Sequence, residues 1–246
     1  MPTVAPAGTD GTAGTAGTAG TDGTAALDGP AAVRAATDAA AGTTGSPVAG
    51  RILAAAAGLF YADGIRAVSA DRVIAAAGVS KVTFYRHFPT KDLLVVAYLT
   101  AVADAERAAV DAARAAHPHD PAAVLRGYAD VLGSESCAPG FRGCPFINAA
   151  AEYADPDHPV RAVVAEHRRW LVTTAAELLT ALGVPDAAGA AQELAMLRDG
   201  AMVAGYVGGA DGAAVVADAL RRAGAAVVAA HRDADPHRDA DPHRRA

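Results

Sequence analysis

Val68-Ser-Ala-Asp-Arg-Val-Ile-Ala-Ala-Ala-Gly-Val-Ser-Lys-Val-Thr-Phe-Tyr-Arg-His-Phe-Pro-Thr-Lys-Asp92 is the stretch whose residue order bulk composition cannot explain, and its reading decides the fold. A short apolar helix over 69–76 ends at Gly78, a residue that enters the left-handed region without a Cβ penalty. Ser80 is placed to cap a second short helix with its hydroxyl oxygen. Two short helices joined by a glycine turn form a helix-turn-helix unit. Phe84 and Phe88 lie four residues apart on the second helix, share a face, and predict the side that packs on the rest of the domain.

The opposite side of that helix is left for a partner. At about 100° per residue, Val82, Thr83 and Arg86 point most directly away from the phenylalanines, with Lys81, Tyr85 and His87 on the flanks. Lys81 is suited to guanine acceptors or a phosphate, Val82 to a thymine methyl, and Thr83 to either base or backbone. Pro89 stops the helix and Thr90 can cap the next one. Lys91, in that next first turn, opposes the helix dipole and so suits an external anion such as a phosphate. The candidate DNA-contacting set is therefore Ser80, Lys81, Val82, Thr83, Tyr85, Arg86, His87 and Lys91.

The pattern closely resembles the DNA-binding domain of TetR/AcrR-type transcriptional regulators. The resemblance is carried by Ala77-Gly-Val-Ser-Lys81, by Thr83 and the apolar Phe84, by Tyr85-Arg-His-Phe88, and by Lys91-Asp-Leu93. It implies that Tyr85 and His87 anchor phosphates rather than read bases. It also implies a helical body behind the head, with a ligand pocket and two last helices that pair with a second copy as a four-helix bundle. One departure is Val73-Ile74, where many members carry Ile-Ala; a bulky Ile74 bears on the angle between the two helices.

Composition agrees with this direction. The 246 residues are 52% hydrophobic but only 5% aromatic, a balance that favours helices with cores of small side chains. The formal net charge of −6 argues against nucleic acid only if it is spread evenly, and it is not. Between residues 50 and 100, Arg51, Arg66, Arg72, Lys81, Arg86 and Lys91 outnumber Asp63, Asp71 and Asp92, and Lys81 and Lys91 are the only lysines in the chain. The local footprint is basic, as a DNA reader needs. Two cysteines, Cys137 and Cys144, make no disulfide framework and point to a reducing compartment. With neither a signal-peptide pattern nor an apolar run of membrane length, the expectation is a cytoplasmic protein without membrane contact.

The remaining chain reads as flanks and helices. Residues 1–46, with their Gly-Thr-Ala repeats, are too poor in large apolar groups to offset ordering entropy and are expected to be disordered. The expected head is 47–92, three helices beginning with Ile52, Ala56, Leu59 and Phe60 on one face. The expected regulatory and dimerisation domain is 93–231, giving an all-α chain of about nine helices. Its last two helices, 185–208 and 213–231 with Gly208-Gly-Ala-Asp-Gly212 between them, carry small-residue faces. Ala190, Ala191, Leu194, Ala195 and Gly205 on one, and Ala217, Leu220 and Ala223 on the other, are expected to meet a second copy, with Leu194 and Leu220 near the symmetry axis. Residues 232–246, which repeat Asp-Ala-Asp-Pro-His, are expected to be unstructured; His237 and His243 there sit in proline-broken chain with no thiol nearby, so no metal is expected.

The reading that follows is a homodimeric regulator, a repressor released by an unidentified small-molecule effector, bound to a palindromic double-stranded DNA operator. No catalytic residue and no cofactor is expected. Two rival readings use the thiols. Cys144 precedes Pro145 at a helix start, where the dipole favours a thiolate, so Cys137 and Cys144 could gate DNA binding by redox state. An all-α enzyme would instead use Cys144 as nucleophile with His158 or His167 as base. The plainer expectation is that Cys144 is a buried apolar side chain beside Phe146.

Overall fold

The computed structural model describes residues 46–233, together with Val33, Ala35 and Asp38. The expectations for most of 1–46 and for the tail beyond 233, His237 and His243 included, lie outside these residues. Among the described residues the secondary structure is entirely helical. The elements are α1 (Pro47–Asp63), α2 (Ala70–Ala77), α3 (Lys81–His87), α4 (Lys91–Ala116), α5 (Pro121–Ser136), α6 (Pro145–Glu152), α7 (Pro159–Ala181), α8 (Ala187–Val207) and α9 (Gly209–Asp233). None of them is long and apolar enough to cross a membrane.

Local chemistry fixes most of the ends. Ser69, Thr90, Asp120 and Asp186 each accept a hydrogen bond from a backbone N–H of the following first turn, which satisfies one of the orphan donors there. Prolines open α1, α5, α6 and α7, where the missing N–H costs nothing and the fixed φ suits a helix.

One apolar cluster begins on α1 with Ile52, Ala56 and Phe60 and takes in Val68, Val73 and Phe84. It continues along α4 through Leu94, Tyr98 and Val102 to Leu132, Phe146, Val160 and Met202. The first turns of α4 thus belong to the same packed interior as α1, and no break in packing falls at residue 92. Val33, helical and 4% exposed, joins this cluster. A second cluster, Leu179, Val184, Ala190 and Ala191, lies at the far end of the molecule between α7 and α8.

Two expectations change here. The glycine-rich stretch after residue 207 is not a five-residue loop: the chain leaves α8 at Gly208 and is helical again from Gly209. An antiparallel pair needs little connecting chain, and His231 reaching Asp186 and Glu193 shows that α9 runs back along α8. The small-residue faces are also used differently. Ala190, Ala191, Ala195, Met202 and Gly205 are buried inside the protomer, where a Cβ on Gly205 would come within 2.9 Å of Ser136. Small side chains let helices approach closely, and this approach is between neighbours in one chain. The apolar side chains that α8 and α9 leave exposed are others: Met196, Val203, Val207 and Val215.

Candidate nucleic-acid interface and the cavities behind it

The interface is built from the turn between α2 and α3. Gly78 takes φ 63° and ψ 41°, and its N–H together with that of Val79 closes α2 onto Ala75 and Ile74 carbonyls. An L-residue with a Cβ is strained there. Ser80 then caps α3, its Oγ accepting from Thr83 N at 3.1 Å and lying 2.8 Å from Thr83 Oγ1. Phe84 is fully buried and Phe88 nearly so, so the predicted packing face is the observed one. Phe88 leaves the helix at φ −129° and ψ 88°, outside the α region that a residue before proline avoids.

The opposite side of α3 is open. Lys81, Val82, Tyr85 and Arg86 are exposed, Val82 by 79%. Ser80 is also exposed, but its hydroxyl is engaged in the cap. Thr83 and His87 are half-buried, and Thr83 shares its hydroxyl with Ser80. Lys81 Nζ pairs with Asp71 Oδ1 at 3.2 Å across the turn, and Arg72 pairs with Asp63 at 2.6 Å. Such exposed pairs are weak, so Lys81 is held in position at little cost to its release. Arg51, Arg66 and Arg86 form no salt bridge to a described residue. Lys91 is half-buried, with its ammonium 5.9 Å from the Phe60 ring centroid. Burial lowers its pKa, opposed by Glu152 and Asp92.

The head is tied to the body by side chains that sequence patterning does not single out. Glu152, the last residue of α6, accepts from Ile65 N at 2.9 Å and from Arg66 N at 2.6 Å, gripping the turn between α1 and α2. In the other direction Tyr61 of α1 donates to Gly143 O at 3.0 Å and accepts from Arg142 N at 2.7 Å. Burial pushes the Tyr61 phenol upward in pKa, so it keeps its proton for this bond. Tyr153 donates to Asp92 at the start of α4, and His158 lies 3.4 Å from the same carboxylate. Three of these contacts flank α6, which makes that short helix the joint between head and body.

Behind α6 lies a buried polar network. Tyr128 donates to Glu106 at 2.7 Å and receives Arg198 Nε at 3.3 Å; Arg198 Nη1 reaches Cys144 Sγ and Asp199, each at 3.2 Å. Asp199 also pairs with Arg168. His167, 2% exposed, stacks on Phe146 with ring centroids 3.6 Å apart. Its Nε2 is 3.3 Å from Glu106 Oε2 but outside hydrogen-bonding geometry, and neither ring nitrogen has a hydrogen-bond partner among the described residues. Two cavities meet at Tyr128, Leu132 and Arg198: one of about 520 Å³ between α5, α7, α8 and α9, and one of about 220 Å³ between α4, α5 and α6. Leu194 and Leu220, expected at a symmetry axis, line the larger cavity. Both are half-buried within the protomer.

The thiols take separate positions. Cys137 is exposed at the end of α5 and Cys144 is 2% exposed within the apolar cluster beside Phe146. Cys144 meets Arg198, His158 meets Asp92 and the Tyr153 ring, and His167 meets the rings of Phe146 and Trp170; no hydrogen bond among the described residues joins Cys144 to either histidine.

Residues 52–98 match the family model described as bacterial regulatory proteins, tetR family. A TetR-family transcriptional regulator from Streptomyces coelicolor superposes with a TM-score of 0.70 and 40% sequence identity, over 76% of this chain and 96% of that one. A protein described as a TetR transcriptional regulator from Streptomyces avermitilis gives a TM-score of 0.60 and 29% identity over 74% and 98% of the two chains. The regulatory protein TetR from Rhodobacter sphaeroides, at 20% identity and a TM-score of 0.64 over 72% and 99%, shares the fold. No curated protein matches the chain.

Proposed function

The chain belongs to the TetR family of bacterial regulatory proteins, and from that premise we propose that it is a ligand-responsive repressor acting as a homodimer on a palindromic operator in the cytoplasm. The observation that carries the DNA-binding part is the face of α3: Lys81, Val82, Tyr85 and Arg86 are exposed while Phe84 behind them is sealed in the core. Lys81 and Arg86 supply donors for base edges or phosphates, Val82 a methyl contact, and Tyr85, His87 and Lys91 phosphate anchors. Ser80 and Thr83 hold the helix start and offer the backbone N–H groups beside it to a phosphate.

Operator binding measured by fluorescence anisotropy tests this reading. Lys81→Ala and Tyr85→Ala are each expected to weaken binding by about 1–3 kcal/mol without loss of helicity. Wild-type affinity in a folded double variant would reject the assignment of α3.

For the dimer, support comes from the apolar stripe Met196, Val203 and Val207 on α8 with Val215 on α9, exposed side chains that the fold of one chain leaves uncovered. Gly200 sits in the same stripe with open space around it, which permits a close helix crossing. Two heads about 34 Å apart would reach successive major grooves. An effector that favours another spacing weakens binding by its differential affinity for the two states. A Glu at position 203 would bury an unpaired carboxylate in each half of the interface. Val203→Glu is therefore expected to raise the dimer dissociation constant by at least about 100-fold, read by analytical ultracentrifugation. An unmodified chain that sediments as a monomer at micromolar concentration counts against the dimer.

A further inference from the structure

The larger cavity has a chemical sign, and it comes from which ionic side chains line it. Its walls are apolar, with Leu125, Leu132, Leu171, Leu182, Leu194 and Val228 among them. Its charged lining is Arg126, Arg198, Arg221 and Arg232 against the single carboxylate of Asp233. The smaller cavity across the Tyr128–Arg198 wall carries Glu106 and Glu135 instead. The four arginines are not equivalent. Arg126 and Arg221 are about half exposed and pair with Asp120 and Asp130 at the rim. Arg198 is 7% exposed, and its hydrogen bonds to described residues use Nε and Nη1. The one carboxylate among those three partners, Asp199, is shared with Arg168, and the nearby Glu106 is held by the Tyr128 phenol.

We infer that this cavity takes an apolar carboxylate, an acyl chain or ring system bearing one acid group, which seats its carboxylate on Arg198. The inference rests on the effector reading above and gives that effector a chemical class. A guanidinium removed from water gains most from a carboxylate that meets two of its N–H groups at once. Nη2 makes no hydrogen bond to a described residue; a neutral ligand of the same shape gives it no charged acceptor, and an ammonium meets like charge. A cavity of about 520 Å³ falls within the range of small-molecule sites, roughly 300–1,000 Å³.

Calorimetric titration of the full-length protein with octanoate, decanoate, dodecanoate and 2-naphthoate, each against the primary alcohol and amine of the same skeleton, tests this. At least one carboxylate is expected to bind about tenfold or more tighter than its alcohol and amine, the scale of one charged hydrogen bond. Arg198→Gln should bring acid and alcohol to within about twofold, whereas Arg126→Gln at the rim should keep the preference. If Arg198→Gln does not fold, Arg198→Lys must reduce the preference and Leu194→Trp, which fills the cavity from another wall, must abolish binding. The inference is overturned if no carboxylate binds, if the alcohols bind as tightly as the acids, or if the preference survives at Arg198→Gln. Operator affinity is measured in parallel: a carboxylate that binds through Arg198 but leaves DNA affinity unchanged rejects the effector reading alone.

Discussion

At pH 4 the folded protein is expected to be about 3 kcal/mol less stable than at neutral pH on account of one imidazole, since each pH unit below the free pKa costs about 1.4 kcal/mol. His167 has its pKa pushed down to about 3, first by burial and then by the guanidiniums of Arg198 and Arg107. Facing the ring are Phe146 of α6, Arg107 and Glu106 of α4, and Arg198 of α8; one carboxylate stands against two cations. The folded interior therefore holds the ring neutral, while the unfolded chain lets it protonate near 6.5, the ordinary value of a free imidazole. Below that pH the unfolded state binds a proton that the folded state refuses, so stability falls steadily until about pH 3, where both are protonated. Urea unfolding at pH 7, 5.5 and 4 for wild type and His167→Leu isolates the effect from the general protonation of carboxylates. The stability of wild type relative to the variant is expected to drop by about 1 kcal/mol between pH 7 and 5.5 and by about 2 kcal/mol between pH 5.5 and 4. Parallel loss in both proteins would assign the acid lability elsewhere.

Gly133→Ala should lower the melting temperature by about 9 °C, taking a loss of about 3 kcal/mol for overpacking in a chain of this length. Where α5 crosses α9, a Cβ on Gly133 would lie 2.1 Å from Ala217 Cβ and 2.8 Å from Ala217 Cα. The second contact is with main chain, so no rotamer relieves it and the helices must part. Gly127, six residues earlier on α5, has open space where its Cβ would be. Gly127→Ala should instead stabilise by about 0.5–1 kcal/mol through helix propensity alone. The two thermal melts decide together: if both substitutions shift the midpoint alike, the close crossing is not a constraint.

The head was legible because its determinants are local. Gly78, Ser80, Thr90 and the Phe84/Phe88 pair act over three or four residues, and the helix faces they predict are the faces observed. The Glu106, Tyr128, Arg198 and Cys144 network was not legible, because its partners are 22, 70 and 54 residues apart on separate elements. No spacing rule connects them. The small-residue face of α8 shows a different limit: alanine and glycine mark a close helix approach but do not say whether the neighbour is in the same chain. The small-residue faces, read with the family resemblance, point Ala190, Ala195 and Gly205 toward a second copy, whereas α5, α7 and α9 pack on that helix within the protomer.

The bonds that join head to body have a lopsided form with an evolutionary consequence. Glu152 contributes a side chain and meets main-chain N–H groups of Ile65 and Arg66; Tyr61 contributes a side chain and meets the main chain of Arg142 and Gly143. In each case the recipient's side chain takes no part in the bond, so Arg66 and Arg142 can drift without severing the joint, while Ile65 is kept by the core and Gly143 by its φ of 76°. Those four bonds rest on two side-chain identities, one from each half, beside the Tyr153–Asp92 bond, which needs both of its own. A lineage can then rewrite the bases read by α3, or reshape the cavity between α5 and α9, as separate experiments of selection, and still pass on a working connection between them.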